Sequence, residues 1–136
     1  NQFPSKNYFT LPNEIFSLRL GAGEIAVYAY LRCLENPSTY QCWPSYATIG
    51  KAIGRTKNTV MQYVDALSEK GLISTEPTSV LTKSRIKKNG NLRYTIKPIH
   101  EAVEIFHTRQ LSAVERTTER RQIHRKLSAV NLLPGA

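Results

Sequence analysis

Ile49-Gly50-Lys51-Ala52-Ile53-Gly54-Arg55-Thr56-Lys57-Asn58-Thr59-Val60, followed by Leu67-Ser68-Glu69-Lys70-Gly71-Leu72-Ile73, is the stretch whose reading decides the fold. It reads as two short helices around a glycine turn. Pro44-Ser45 opens the first, which runs to about residue 53, with Ile49 and Ile53 directed inward and Gly50 small where two helices must approach closely. Gly54 supplies the turn, and Thr56 caps the next helix through its hydroxyl. Val60, Val64 and Leu67 at helical spacing mark the buried side of that helix, and Gly71 stops it. Two short helices at a steep angle sharing one small core leave one of them free to enter a groove.

Upstream, residues 1–11 form an extended lead-in, with Phe3, Tyr8, Phe9 and Leu11 as anchors onto the core. Pro12-Asn13-Glu14 starts a short helix through about residue 18, and Gly21-Ala22-Gly23 is a tight break. Residues 24–34 are apolar nearly all round, as expected of a central, buried helix that Asn36-Pro37-Ser38 ends. Downstream the period changes. Leu72-Ile73-Ser74-Thr75 reads as a strand closed by Pro77, and runs at 80–86 and 92–96 read as strands flanking an Asn89-Gly90 hairpin turn. Pro98 then starts a helix with Ile99, Ala102, Val103, Phe106, Ala113 and Val114 near one face, and basic residues gather after residue 115. The expected fold is α+β, mainly α: a winged helix-turn-helix of three core helices and a β-hairpin wing over residues 1–97. A C-terminal helix and basic tail follow over 98–136.

The two quoted runs resemble bacterial winged helix-turn-helix proteins, in particular the helix-turn-helix domains of Gram-positive mobile elements and plasmid replication initiators. There an opening similar to Leu11-Pro12-Asn13-Glu14-Ile15-Phe16 precedes a helix similar to Gly23-Glu24-Ile25-Ala26-Val27-Tyr28. The resemblance covers roughly residues 8–110 and departs at Arg55, where the turn often carries an apolar residue. It implies a chain that binds double-stranded DNA, as a transcriptional regulator or as a replication initiator.

Charge points the same way. Nineteen Lys and Arg against ten Asp and Glu leave a formal net charge of +9, a field that favours polyanions. No run approaches the apolar length needed to span a bilayer, and residue 1 is not followed by a basic-then-apolar signal segment. A cytoplasmic, nucleoid- or plasmid-associated protein is the expectation. Cys33 and Cys42 are the only cysteines and are expected to be reduced.

On the helix after Thr56, Asn58 and Gln62 project away from Val60, Val64 and Leu67, one turn apart, and both side chains can pair bidentately with adenine. Lys57 and Thr59 flank that face, and Tyr63 either packs at the core edge or reaches the DNA backbone. A polar pair on a helix is often only solvated surface; inside this motif it reads as a base-reading pair. The hairpin segment from Pro77 to Lys97 carries Lys83, Arg85, Lys87, Lys88, Arg93 and Lys97 without an acid, more cation than a solvated edge requires. The expected DNA-contacting set is therefore Thr56, Lys57, Asn58, Thr59, Gln62, Tyr63, Lys83, Arg85, Lys87, Lys88 and Arg93.

No enzyme is expected, because no nucleophile context or phosphate-cradling glycine loop is present. His100, Glu104 and His107 share a helix face but read as surface or interface residues, so no metal, cofactor or small-molecule ligand is expected. The C-terminal apolar stripe either pairs with a second copy, giving a homodimer, or packs on its own domain. The segment with Arg120, Arg121, Arg125 and Lys126 is either a solvated linker or a further DNA contact. The rival reading is a winged-helix protein-protein interaction module, which would show an apolar, uncharged surface where this chain is basic.

Overall fold

The computed structural model describes residues 7–81 and 87–131, and for residues 80, 81, 87–89 and 128–131 it describes the backbone alone. The chain divides into two units, Asn1–Val103 and Glu104–Ala136.

The first unit opens with a 3-10 turn, Asn13–Ser17, whose Ile15 is fully buried and whose neighbour Leu18 is nearly so. These two, rather than the expected lead-in aromatics, anchor the N-terminal segment: Tyr8 and Phe9 stay exposed, Leu11 is half-buried, and Phe3 lies outside the described residues. The Arg32 guanidinium also donates to the Thr10 carbonyl oxygen at 2.9 Å, tying the lead-in to the first helix.

That helix, α1 (Ala22–Leu34), buries Val27, Tyr28 and Leu31 and packs on the two helices that follow. It begins within the glycine segment expected to be a break. Arg19, at φ 55°, makes the turn instead, and Gly23 sits inside the helix because the Tyr63 ring occupies the space a Cβ would need. Helix α2 (Tyr46–Ile53) starts as expected: the Ser45 hydroxyl accepts from the Thr48 amide at 3.0 Å. Helix α3 (Lys57–Glu69) buries Val60, Val64 and Leu67, the three positions that spacing selects, and Gly71 at φ 81° leaves it in the left-handed region. An ion pair between Lys70 and Glu24, 2.6 Å, joins the end of α3 to the start of α1.

The strands are β1 (Gln41–Cys42), β2 (Ile73–Glu76), β3 (Ser79–Leu81), β4 (Lys87–Asn89) and β5 (Arg93–Ile96). They form a three-stranded antiparallel sheet in the order β1-β5-β2 and a separate β3-β4 ribbon. Tyr94 and Ile96 of β5 and Ile73 of β2 turn into the helical core. Together the elements make a winged helix-turn-helix, mainly helical.

The Asn89-Gly90 hairpin turn is a correction. Asn89 ends β4 opposite Ser79, and the Gly90 amide donates to the Thr78 carbonyl at 2.8 Å, so the dipeptide stands at the end of the β3-β4 pairing rather than between its strands. From Glu76↔Arg93 to Ser79↔Asn89 one strand advances by three residues and the other by four. The extra residue is a bulge-like offset, which bends a β-ribbon and raises its twist. A turn-forming dipeptide is thereby used to offset two strands rather than to join them.

Helix α4 (Ile99–Asn131) starts in the first unit, where Ala102 is buried, and continues through the second. Arg120, Arg121, Arg125 and Lys126 thus stand on a continuous helix with exposed side chains. No helix of the described residues is long and apolar enough to cross a membrane.

Candidate nucleic-acid interface

The candidate interface is centred on the turn between α2 and α3. Gly54 closes α2 in the left-handed region, at φ 73° and ψ 41°, a conformation that disfavours residues with a Cβ. The Arg55 amide then donates back to the Gly50 carbonyl at 2.9 Å. Arg55 itself, where an apolar turn residue is usual, is exposed, and its guanidinium donates to the Gly54 carbonyl at 2.9 Å. The turn packs through glycine, so its exposed position is free to carry a cation.

Thr56 caps α3: its hydroxyl oxygen accepts from the Thr59 amide at 3.3 Å and donates to the Thr59 hydroxyl at 3.0 Å. Thr56 and Thr59 are therefore occupied in holding the helix start, Thr56 exposed and Thr59 half-buried. Lys57, Asn58 and Gln62 are exposed on the first two turns of α3. Helix N-termini carry partial positive charge, which adds to the field of Lys57. Asp65 and Glu69 sit farther along, toward the negative end of the helix.

Tyr63 resolves toward the core edge, half-buried with its ring over Gly23 of α1. In the wing, Arg93 forms an ion pair with Glu76 across the β2-β5 pair, and Lys97 pairs with Glu101 at 2.9 Å. The acid-free window ends just short of both carboxylates, so two of its cations are partly neutralised by residues at its margins. Lys87 and Lys88 stand on β4 of the outer ribbon, opposite Leu81 and Val80 respectively. Lys83 and Arg85 lie outside the described residues.

Three exposed residues belong with this face although motif reading passes over them. Lys51 on α2 and Arg55 in the turn stand with Lys57 in a stretch, residues 36–64, that contains no Asp or Glu. That absence is the signal in the sequence. Met61, 42% exposed, lies one residue before Gln62 at the flank of that face.

Behind the face the fully buried residues, among those described, are hydrophobic. Burial pushes the Cys42 thiol up to about 12, and its sulfur lies 3.8 Å from the Leu31 carbonyl. Tyr94 is also raised, first by burial. Among the described residues no group of three or more His, Cys, Asp or Glu side chains is placed to hold a metal ion.

Comparison with known proteins matches residues 18–73 to a family described as a helix-turn-helix domain. That match runs from Leu18 to the first residue of β2 and leaves out the wing and α4. No curated protein sequence matches the chain. Among solved structures, a possible transcriptional regulator from Methanosarcina mazei Go1 aligns with a TM-score of 0.53 at 13% identity, covering 86% of this chain and 97% of that one. A point mutant of S. aureus MepR bound to an oligodeoxyribonucleotide aligns with a TM-score of 0.45 at 19% identity, covering 86% of this chain and 81% of that one. A MarR-family regulator from Silicibacter pomeroyi gives 0.43 at 16% identity, with 89% and 78% covered. The first of these shares the fold.

Proposed function

We propose that the chain binds double-stranded DNA in a sequence-directed manner, with α3 in the major groove and the β3-β4 wing along the backbone, and acts as a transcriptional regulator. The observation that carries this is the exposed set of Lys57, Asn58 and Gln62 at the capped start of α3, with Lys51 and Arg55 exposed in the same acid-free stretch of sequence, residues 36–64. Amide side chains read adenine edges and the cations hold phosphate. The helix-turn-helix match over residues 18–73, the net charge of +9 and a solved relative described as a possible transcriptional regulator all support it. The polar outer face of α3 and the basic composition of the wing segment argue against a protein-protein interaction module, which would need an apolar, uncharged surface there.

In this reading Thr56, Thr59 and Tyr63 hold α3 in place, Lys83, Arg85, Lys87 and Lys88 contact phosphate, and Arg93 does so with its charge shared with Glu76. The protein works in the bacterial cytoplasm on the nucleoid or a plasmid, as a pair reading two half-sites. The resemblance of the Leu11-to-Phe16 opening to plasmid replication initiators favours a mobile-element target, where the same helix would place replication machinery at an origin.

Fluorescence anisotropy across a salt series, with random and selected duplexes, tests the reading. Salt-steep binding with a preferred site is expected. Salt-steep binding without preference would reduce the claim to a basic surface, and no binding at low salt would overturn it.

A further inference from the structure

Within the second unit, Glu104, His107, Leu111, Val114, Thr118 and Arg121 recur at alternating spacings of three and four, so they line one face of α4. The middle of that face is apolar and uncovered: Leu111 is 64% exposed and Val114 60%. The Thr118 hydroxyl donates to the Val114 carbonyl at 3.0 Å, which satisfies it within the helix and leaves its methyl to extend the apolar strip. Beside it Ala113, Val114, Thr117, Thr118 and Arg121 line a shallow groove. Charge sits only at the two ends of the face, acid at Glu104 and base at Arg121, and among the described residues neither has an ion-pair partner in its own chain.

The face is self-complementary about a point between residues 112 and 113. Turned end over end against itself, Leu111 meets Val114, His107 meets Thr118 and Glu104 meets Arg121, each contact occurring twice. A two-fold interface requires this reciprocity. Parallel pairing in register would instead set Glu104 on Glu104 and Arg121 on Arg121. We propose that two copies of this chain pair antiparallel through residues 104–121 of α4, with Leu111 and Val114 at the centre and a Glu104-Arg121 ion pair at each end. This rests on the paired state in the proposed function and gives it a register. An exposed strip with opposite charges at its ends fits a second copy better than an unrelated partner, because the chain itself supplies both halves of the match.

Sedimentation velocity of the full chain without DNA tests it, with helix content followed by circular dichroism. The wild-type chain is expected to dimerise. Glu104→Arg and Arg121→Glu, each converting two attractions into two repulsions, should weaken the dimer by about tenfold or more, and the double variant should restore it. Val114→Glu should leave a monomer with the same helix content. A wild-type monomer up to about 100 μM, well above micromolar affinity, would sink both the register and the paired state. A dimer indifferent to the single reversals, or a double variant no better than either, would overturn the register alone. Duplex binding, read separately by anisotropy, decides the DNA claim independently.

Discussion

A Cβ placed on Gly50 would lie 2.4 Å from the carbonyl oxygen of Arg55. The same two residues are joined by the Arg55 amide donating to the Gly50 carbonyl at 2.9 Å. The turn backbone thus lies directly against α2, and that closeness sets how α3 leaves the turn and which of its side chains face outward.

Gly50→Ala is expected to destabilise the fold by about 2 kcal/mol or more, because the obstructing atom is backbone and cannot swing away. Urea unfolding followed by circular dichroism measures it. A loss too small to resolve would mean that the turn can shift without cost, and that the contact does not set the angle.

The cap on α3 separates two threonine roles. Thr56→Ala should cost about 1 kcal/mol, while Thr56→Ser keeps the acceptor oxygen and most of the stability. Equal losses in both variants would show that the Thr56 methyl, rather than its hydroxyl, matters.

For DNA, Asn58→Ala or Gln62→Ala should erode discrimination between preferred and random duplexes. Lys87→Ala with Lys88→Ala should weaken all duplexes alike and flatten the salt slope by about one unit per lost phosphate contact. Anisotropy titrations at several salt concentrations separate the two classes. If all the variants lose affinity equally on every duplex, the division between base-reading and phosphate-holding residues is wrong.

The two thiols should differ sharply. Cys33 is exposed and Cys42 is buried, with burial raising the Cys42 thiol to about 12. Raising an acid favours its neutral form, so Cys42 stays protonated and unreactive in the folded protein at pH 8. The unfolded chain ionises at its ordinary thiol value, so the contribution of Cys42 to stability is intact below that value and falls as pH rises from there toward about 12. Maleimide labelling should modify one thiol in the folded protein and both after denaturation. Rapid labelling of Cys42 in the folded state would mean that the sheet edge at β1 opens readily.

Much of the helical part is readable from residue order because its determinants are neighbours. Ser45 reaches Thr48, Thr56 reaches Thr59, Gly54 takes the left-handed turn, and Val60, Val64 and Leu67 mark one helix face at a spacing independent of the rest of the chain. The runs at 72–75 and 92–96 are readable as strands and form β2 and β5, whereas β1 and the end of β4 resist reading because each is decided by a distant partner. Gln41-Cys42 is too short to show a period and becomes a strand only by meeting Thr95 and Tyr94. Asn89-Gly90 has the composition of a turn, yet pairing of Asn89 with Ser79 puts it at a strand end.

The candidate site divides along the same line. Asn58 and Gln62 are placed outward by helical period alone, and the absence of acid from residues 36–64 is plain in the sequence; Lys57 is exposed because it stands in the first turn. Folding decided that Tyr63 covers Gly23 and that Arg93 shares its charge with Glu76. Residue order sets capping, helix faces and net charge because these depend on atoms a few residues apart. Strand register, ring packing and ion pairing between elements depend on which distant surfaces meet, and only the closed core brings those surfaces together.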